Sequence, residues 1–215
     1  FSSPFRRIDV VICFTPCDFI TELSRYILSN NPKISKAFYE EWQQAFDCEQ
    51  QRLQSIDDTN LTASSTVKYF EEQLEDMEYD YHVHYGNSTA VRLACQYANG
   101  HKIWCNRGVN GIDGSLSTAA GFSAICSTGE MVFCVLGDLS FFYDQNALWN
   151  SNIKDNLRII ILNDKHGGIF DKVKGLEPCS ERDRFVAGRH SADARGICTQ
   201  NDIGYLSAKT VEEMH

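Results

Sequence analysis

No apolar stretch of this 215-residue chain approaches the roughly 18 residues that a bilayer-spanning helix needs, which excludes a helical membrane span. The opening residues 1–7 carry no apolar run behind a basic start, so no secretory signal is read there, and the expectation is a soluble cytoplasmic protein. Basic residues are outnumbered: 20 lysines and arginines stand against 29 aspartates and glutamates, for a formal charge of −9. With no lysine- or arginine-rich run to interrupt it, that field repels phosphate backbones and argues against nucleic acid as a partner. Internal repeats and low-complexity tracts are also missing. There is no CxxC pair among the nine cysteines, whose spacing is irregular and whose number is odd. A closed disulfide framework and a sequence-local zinc site are therefore disfavoured, and thiols such as Cys134, set in an apolar run, are read as small reduced hydrophobes.

What is present is a hydrophobic fraction of 43%, enough for one substantial core. Residues 8–14 (IDVVICF) have strand character, followed by Asp18 as a helix cap and an apolar stripe of Ile20, Leu23 and Ile27. A second helix is expected over 35–53, and the polar, turn-rich 54–65 reads as a linker with a cap at Ser65. The order then becomes regular. A helix is expected over 66–77, a strand over 80–85, a helix over 89–98, a short strand over 102–106, a glycine-rich loop over 108–114 and a small-residue helix over 115–125. Two wholly apolar runs, 131–136 and 158–162, flank a helix placed at 141–151. Strands apolar on both faces and alternating with helices predict an α/β fold, a doubly wound parallel sheet covered by helices on both sides. The division expected is 1–64 as a helical remnant and linker, and 65–215 as the α/β domain.

In such sheets ligands bind beyond the carboxyl ends of the strands, so Gly137-Asp138 and Asn163-Asp164 are expected to converge. Gly137 lets backbone approach closely, and the helix start after Ser140 offers N–H groups to an anion. A carboxylate, a second carboxylate or amide, a backbone carbonyl and diphosphate oxygens would together suit an octahedral Mg²⁺. The plainer alternative makes Asp138 a helix cap and Asn163-Asp164 a turn. His82 and His84 share one strand face but have no third ligand at useful spacing, and an ordinary polar face is the better reading. Arg182, Arg184, Arg189, His190 and Arg195 form a basic stretch, read as solvated or as facing a partner subunit. Ser140 lies in no nucleophile elbow, so serine-hydrolase chemistry has no support.

The pairing of Gly137-Asp138 with Asn163-Asp164 resembles the metal fingerprint of thiamine-diphosphate (ThDP) enzymes. NRGVNGIDGSLSTAAGFSA (106–124), GDLSFFYDQNALW (137–149) and GGIF (167–170) are more specific, and together they resemble the SEPHCHC synthase family, C-terminal part. The full family name is 2-succinyl-5-enolpyruvyl-6-hydroxy-3-cyclohexene-1-carboxylate synthase, and the resemblance covers roughly residues 84–205. It implies a role in menaquinone biosynthesis: decarboxylation of 2-oxoglutarate and addition of the succinyl-semialdehyde carbanion to isochorismate, with ThDP and Mg²⁺ or Mn²⁺ as cofactors. By the same resemblance, Ile112, Gly137, Asp138, Leu139, Ser140, Asn163 and Asp164 would contact the cofactor, with Ile112 as the wedge that bends it. The metal would take Asp138, Asp164 or Asn163, and the carbonyl of His166 or Lys165. Asn87, Ser88, Arg92, Arg107, Ile169 and Phe170 would contact substrate, and Ser88, Arg92 and Arg107 would act in catalysis, the arginines facing carboxylates. The family has Asn where Asp164 stands, so an extra negative charge is expected beside the diphosphate. A homodimer or homotetramer is implied, in which a second subunit's pyrimidine-binding domain, with its activating glutamate, completes the site. Other readings are an acetolactate-synthase-type ThDP decarboxylase or carboligase, and a cofactor-free module of the same fold.

Overall fold

The computed structural model describes residues 13–33, 35–56, 59–108 and 110–214. It divides into two units, Phe1–Ser55 and Ile56–His215. The strand expected over 8–14 falls almost wholly outside the described residues. The first unit holds α1 (Pro16–Asn30) and α2 (Ala37–Gln54). The cap of α1 is Thr15 rather than Asp18: its hydroxyl accepts from the Asp18 amide at 3.2 Å, with Pro16 opening the helix. Its apolar stripe of Ile20, Leu23 and Ile27 forms as expected, although each of the three is exposed.

The second unit begins with α3 (Ala63–Glu75), three residues earlier than the pattern suggested. Thr62 is its cap: the Thr62 hydroxyl accepts from the Ser65 amide at 3.1 Å, and the Ser65 hydroxyl accepts from the Thr62 amide at 2.8 Å. This reciprocal box satisfies two end groups at once, which a cap at Ser65 would not. There follow β1 (Tyr81–Tyr85), α4 (Thr89–Tyr97), β2 (Ile103–Trp104), α5 (Ser115–Ile125), β3 (Met131–Gly137), α6 (Asp138–Tyr143) and β4 (Leu157–Leu162). Short 3₁₀ turns at Gln145–Leu148 and Gly168–Lys172, a single π turn at Arg182–Val186 and α7 (Arg195–Gln200) complete the unit. Where one helix was expected over 141–151, the chain forms α6 and then the 3₁₀ turn, because Asp144 leaves helical register and caps α5 instead. Its carboxylate accepts from the Ser117 amide at 2.7 Å and the Ser117 hydroxyl at 2.5 Å.

The four strands are all parallel, in the order β2-β1-β3-β4. The α/β expectation is met, and alternation along the strands explains it. Val83, Tyr85 and Val135 pack with Val67, Phe70 and Leu74 of α3 and Ala90, Val91 and Ala94 of α4. On the other face Cys134 and Leu136 pack with Leu116, Ala119 and Ala120 of α5 and Phe141 of α6. Val135 and Leu136 are completely buried, one on each face, so β3 is hydrophobic throughout. Each such side chain contributes about 1.5–3 kcal/mol by leaving water. The first face also holds a polar string: the Tyr85 hydroxyl donates to Glu71, whose other oxygen meets His101 Nε2 at 2.7 Å.

Candidate functional site

From β1 the chain crosses first to β2 on one side and later to β3 on the other. The winding therefore reverses between β1 and β3, and a crevice opens where the two connections diverge. The tip of β1 is Gly86-Asn87-Ser88, and that of β3 is Gly137-Asp138. The tips are close: the Gly86 amide donates to the Val135 carbonyl at 2.8 Å. A Cβ on Gly86 would stand 2.9 Å from the Leu136 Cβ, so only glycine fits.

Asn87 is buried, and its amide group is fully engaged. Its Nδ2 donates to the carbonyls of Asn106 and Gly111, each at 2.8 Å, and its Oδ1 accepts from Arg107 at 3.3 Å. The glycine-rich loop is thereby fastened to the tip of β1. Asn106 holds the loop's far end by donating to Gly114 O at 3.1 Å and to the Thr118 hydroxyl at 2.9 Å. Ile112 is 40% exposed on this loop, an unusual place for a branched apolar side chain. Ser88 adopts φ 72° and ψ −122°, a conformation that costs a non-glycine residue roughly 1–3 kcal/mol. Arg92, one turn along α4, and Arg107 are both exposed.

Asp138 is 2% exposed at the start of α6. Its Oδ1 accepts from the Leu139 amide at 2.6 Å, and its Oδ2 from the Lys165 amide at 2.7 Å. Because Gly137 pairs with Leu162, the ends of β3 and β4 lie side by side, and Lys165 at φ 66° turns its N–H toward the carboxylate. Asp138 is thus the first residue of α6, after Gly137 as the cap, and its carboxylate joins the helix start to the neighbouring strand tip. The anion-facing helix start expected after Ser140 lies instead at Gly137-Asp138, where Asp138 takes up the Leu139 amide.

Asp164 follows on the tip of β4. Partial burial and the nearby Asp138 charge push its carboxyl above the ordinary range, while His166 and backbone amides pull the other way. Asp164 is itself exposed, and the two negative charges are near enough for Asp138 to raise it, a repulsion that a divalent cation would relieve. A Cβ on Gly168 would lie 2.8 Å from Asp164 Oδ2, so glycine there leaves room for the carboxylate. Asn163 is exposed, with Nδ2 3.4 Å from the Ala192 carbonyl. The His166 carbonyl accepts from the Gly168 amide at 3.0 Å, and its ring is committed elsewhere: Nε2 lies 2.7 Å from Asp171 and Nδ1 2.9 Å from the Asp164 carbonyl. The hydrogen bond that Asp171 accepts raises the affinity of His166 for its proton. Ile169 and Phe170 stand half-buried on the following 3₁₀ turn.

Sequence reasoning missed His190. Its Nε2 lies 3.1 Å from Asp138 Oδ2, its amide donates to Lys165 O at 3.0 Å, and the Gly167 amide donates to Ala187 O at 2.6 Å. The segment carrying the basic stretch thus lies along the strand tip. Arg182 is equally inward, 6% exposed and bonded to Asp171 Oδ1 at 2.6 Å. Two members of a stretch read as surface therefore brace the loop after β4. No local pattern announces this, since 52 residues separate His190 from Asp138. His82 and His84 share no third ligand; His84 is buried with Nε2 3.3 Å from Asn106 Oδ1, whereas His82 lies in a cluster with Cys126 and Glu130.

Among the described residues no helix is long and apolar enough to cross a membrane. No protein-family model matches the chain. It is 41% identical over 152 residues to the 2-succinyl-5-enolpyruvyl-6-hydroxy-3-cyclohexene-1-carboxylate synthase of Christiangramia forsetii, covering 70% of this chain and 26% of that protein. The enzyme of the same name from Bacteroides fragilis is 44% identical over 134 residues, 61% of this chain and 24% of its own length. That of Desulfotalea psychrophila is 53% identical over 124 residues, 57% of this chain and 23% of its own length. The chain spans about a quarter of the length of these curated relatives, and over that portion it is a relative of the SEPHCHC synthases.

Proposed function

We propose that this chain supplies the diphosphate- and metal-binding part of a ThDP-dependent SEPHCHC synthase in menaquinone biosynthesis. The reaction would decarboxylate 2-oxoglutarate and add the resulting carbanion equivalent to isochorismate. Residues 65–215 would form the diphosphate-binding domain and 1–64 a remnant of a middle domain, with a homo-oligomer completing the site. The observation that carries the proposal is the placement of Asp138 and Asp164 just beyond the paired ends of β3 and β4, beside a loop anchored to the switch point.

When bound, ThDP would supply the electron sink for loss of CO₂. The protein would supply position and charge. Asp138 and Asp164, with Asn163 as the alternative to Asp164 and a carbonyl from His166 or Lys165, would hold Mg²⁺ or Mn²⁺ against the diphosphate. Gly137, Leu139 and Ser140 would line the approach, and Ile112 would press on the cofactor. Asn87 would keep the loop and Arg107 in place, and Ser88, Arg92 and Arg107 would meet the carboxylates of substrate. Ile169 and Phe170 would supply apolar contacts. The partner molecules are thus two small polyanions.

A second reading, a module of this fold without cofactor, is favoured by one observation: Asp138 Oδ2 already accepts from Lys165 and faces His190. Thermal-shift titration with Mg²⁺ and ThDP separates the two, because a ligand that binds the native state raises its melting temperature. A shift that disappears in Asp138→Ala supports the first reading. A flat response in the unsubstituted protein overturns it. Consumption of isochorismate with 2-oxoglutarate then distinguishes SEPHCHC synthesis from another ThDP carboligation.

A further inference from the structure

At the other end of the sheet, the amino ends of β1 and β3 are adjacent, since Tyr81 pairs with Met131 and His82 with Val132. His82 points to the α5 side. Glu130 immediately precedes β3, and Cys126 ends α5. One donor atom from each of these residues lies within 4.8 Å of the other two, and His82 Nε2 is 3.8 Å from Glu130 Oε1. All three are half-buried. The length of β3, seven residues or roughly 20 Å, separates this cluster from Asp138.

We infer that His82, Cys126 and Glu130 form a zinc-binding site distinct from the proposed cofactor site. Imidazole nitrogen, thiolate sulfur and carboxylate oxygen are the three donor types that Zn²⁺ takes, and three protein ligands leave a fourth position for water. Bonds of about 2.0–2.3 Å at tetrahedral angles place ligands roughly 3.3–3.8 Å apart, so the cluster needs only a small contraction. The three ligands stand on β1, at the end of α5 and just before β3. The Phe122 ring packs edge-on against His82 with centroids 4.9 Å apart. Glu130 Oε2 accepts from the Ser127 amide at 2.7 Å, which leaves Oε1 directed at His82. Cys126 is fixed as the residue that closes α5. Burial and Glu130 hold the Cys126 thiol above its ordinary range, whereas Lys154, 3.2 Å from the Cys126 carbonyl, draws it down. A bound dication would displace the thiol proton and balance the two negative groups.

The test is anaerobic titration of Co²⁺ into the full metal-free chain, with a phosphine reductant. One equivalent should produce a near-ultraviolet thiolate-to-cobalt charge-transfer band, which Zn²⁺ then abolishes. Mg²⁺ should leave the band untouched, because oxygen ligands at Asp138 give no sulfur transition. Cys126→Ser should remove the band, and His82→Ala and Glu130→Gln should each weaken cobalt binding at least ~10-fold. Glu130→Gln retains an acceptor for the Ser127 amide and so tests ligation without loss of the turn. Absence of the band in the unsubstituted chain overturns the assignment, as does a band unchanged in Cys126→Ser, which would place the metal on another of the nine cysteines.

Discussion

At the scale of single residues, the site is governed by charges gathered around one buried carboxylate. Asp164 holds its proton more tightly than an ordinary aspartate because of burial and Asp138. A carboxyl raised in the folded state weakens folding as pH climbs from its ordinary value through the raised one. Asp164→Asn should therefore stabilise the metal-free protein at neutral pH by roughly 0.2–1 kcal/mol, the range for screened pairs, and have no effect in acid. Urea denaturation at both pH values checks this, and a destabilised variant at neutral pH would contradict it. His166 and Asp171 behave in the opposite manner. Their hydrogen bond raises the histidine and, with help from Arg182, lowers the aspartate. The histidine's contribution is lost as pH rises through its raised value, and the aspartate's as pH falls through its lowered one. Amide protection factors in the 163–171 loop, with the intrinsic pH dependence of exchange divided out, should be highest between those limits, and Asp171→Asn should abolish that optimum.

At the scale of elements, β3 is the strand on which both faces depend. Leu136→Ala should destabilise by about 2–5 kcal/mol in chemical denaturation, because α5 and α6 cannot close on the vacated volume. Gly86→Ala should cost about 1–3 kcal/mol, since the added methyl presses on Leu136 where the tips of β1 and β3 meet. A neutral result at Gly86 would mean that these tips separate more freely than the Gly86–Val135 hydrogen bond indicates. The same scale shows how far local pattern reaches. The small-residue helix over 115–125 forms with the expected bounds, because its composition and its glycine-rich entry are local signals. The helix expected over 141–151 does not, because Asp144 prefers the amide of Ser117, a partner 27 residues away that no window of sequence contains.

At the scale of the whole unit, the distant segments at the site are coupled through few side chains. Asn87 joins the end of β1 to the glycine-rich loop, and His190 joins the basic stretch to Asp138. Asn87→Ala should leave global stability reduced by only about 1–3 kcal/mol while amide exchange accelerates selectively across residues 106–114. Uniform acceleration over the entire unit would show that Asn87 supports the core rather than the loop.

Strand and helix character, the parallel sheet and the two apolar runs ending in Gly137-Asp138 and Asn163-Asp164 were determined by the sequence alone, since alternation and helical spacing are properties of neighbouring residues. Tertiary structure decided which ends meet. The strand order brings Asp138 under Lys165 and His190 at one end, and His82 beside Cys126 and Glu130 at the other. Parallel pairing sets those encounters through register between strands far apart in the chain, and hydrogen-bond geometry across that distance leaves no periodic trace in the residues themselves.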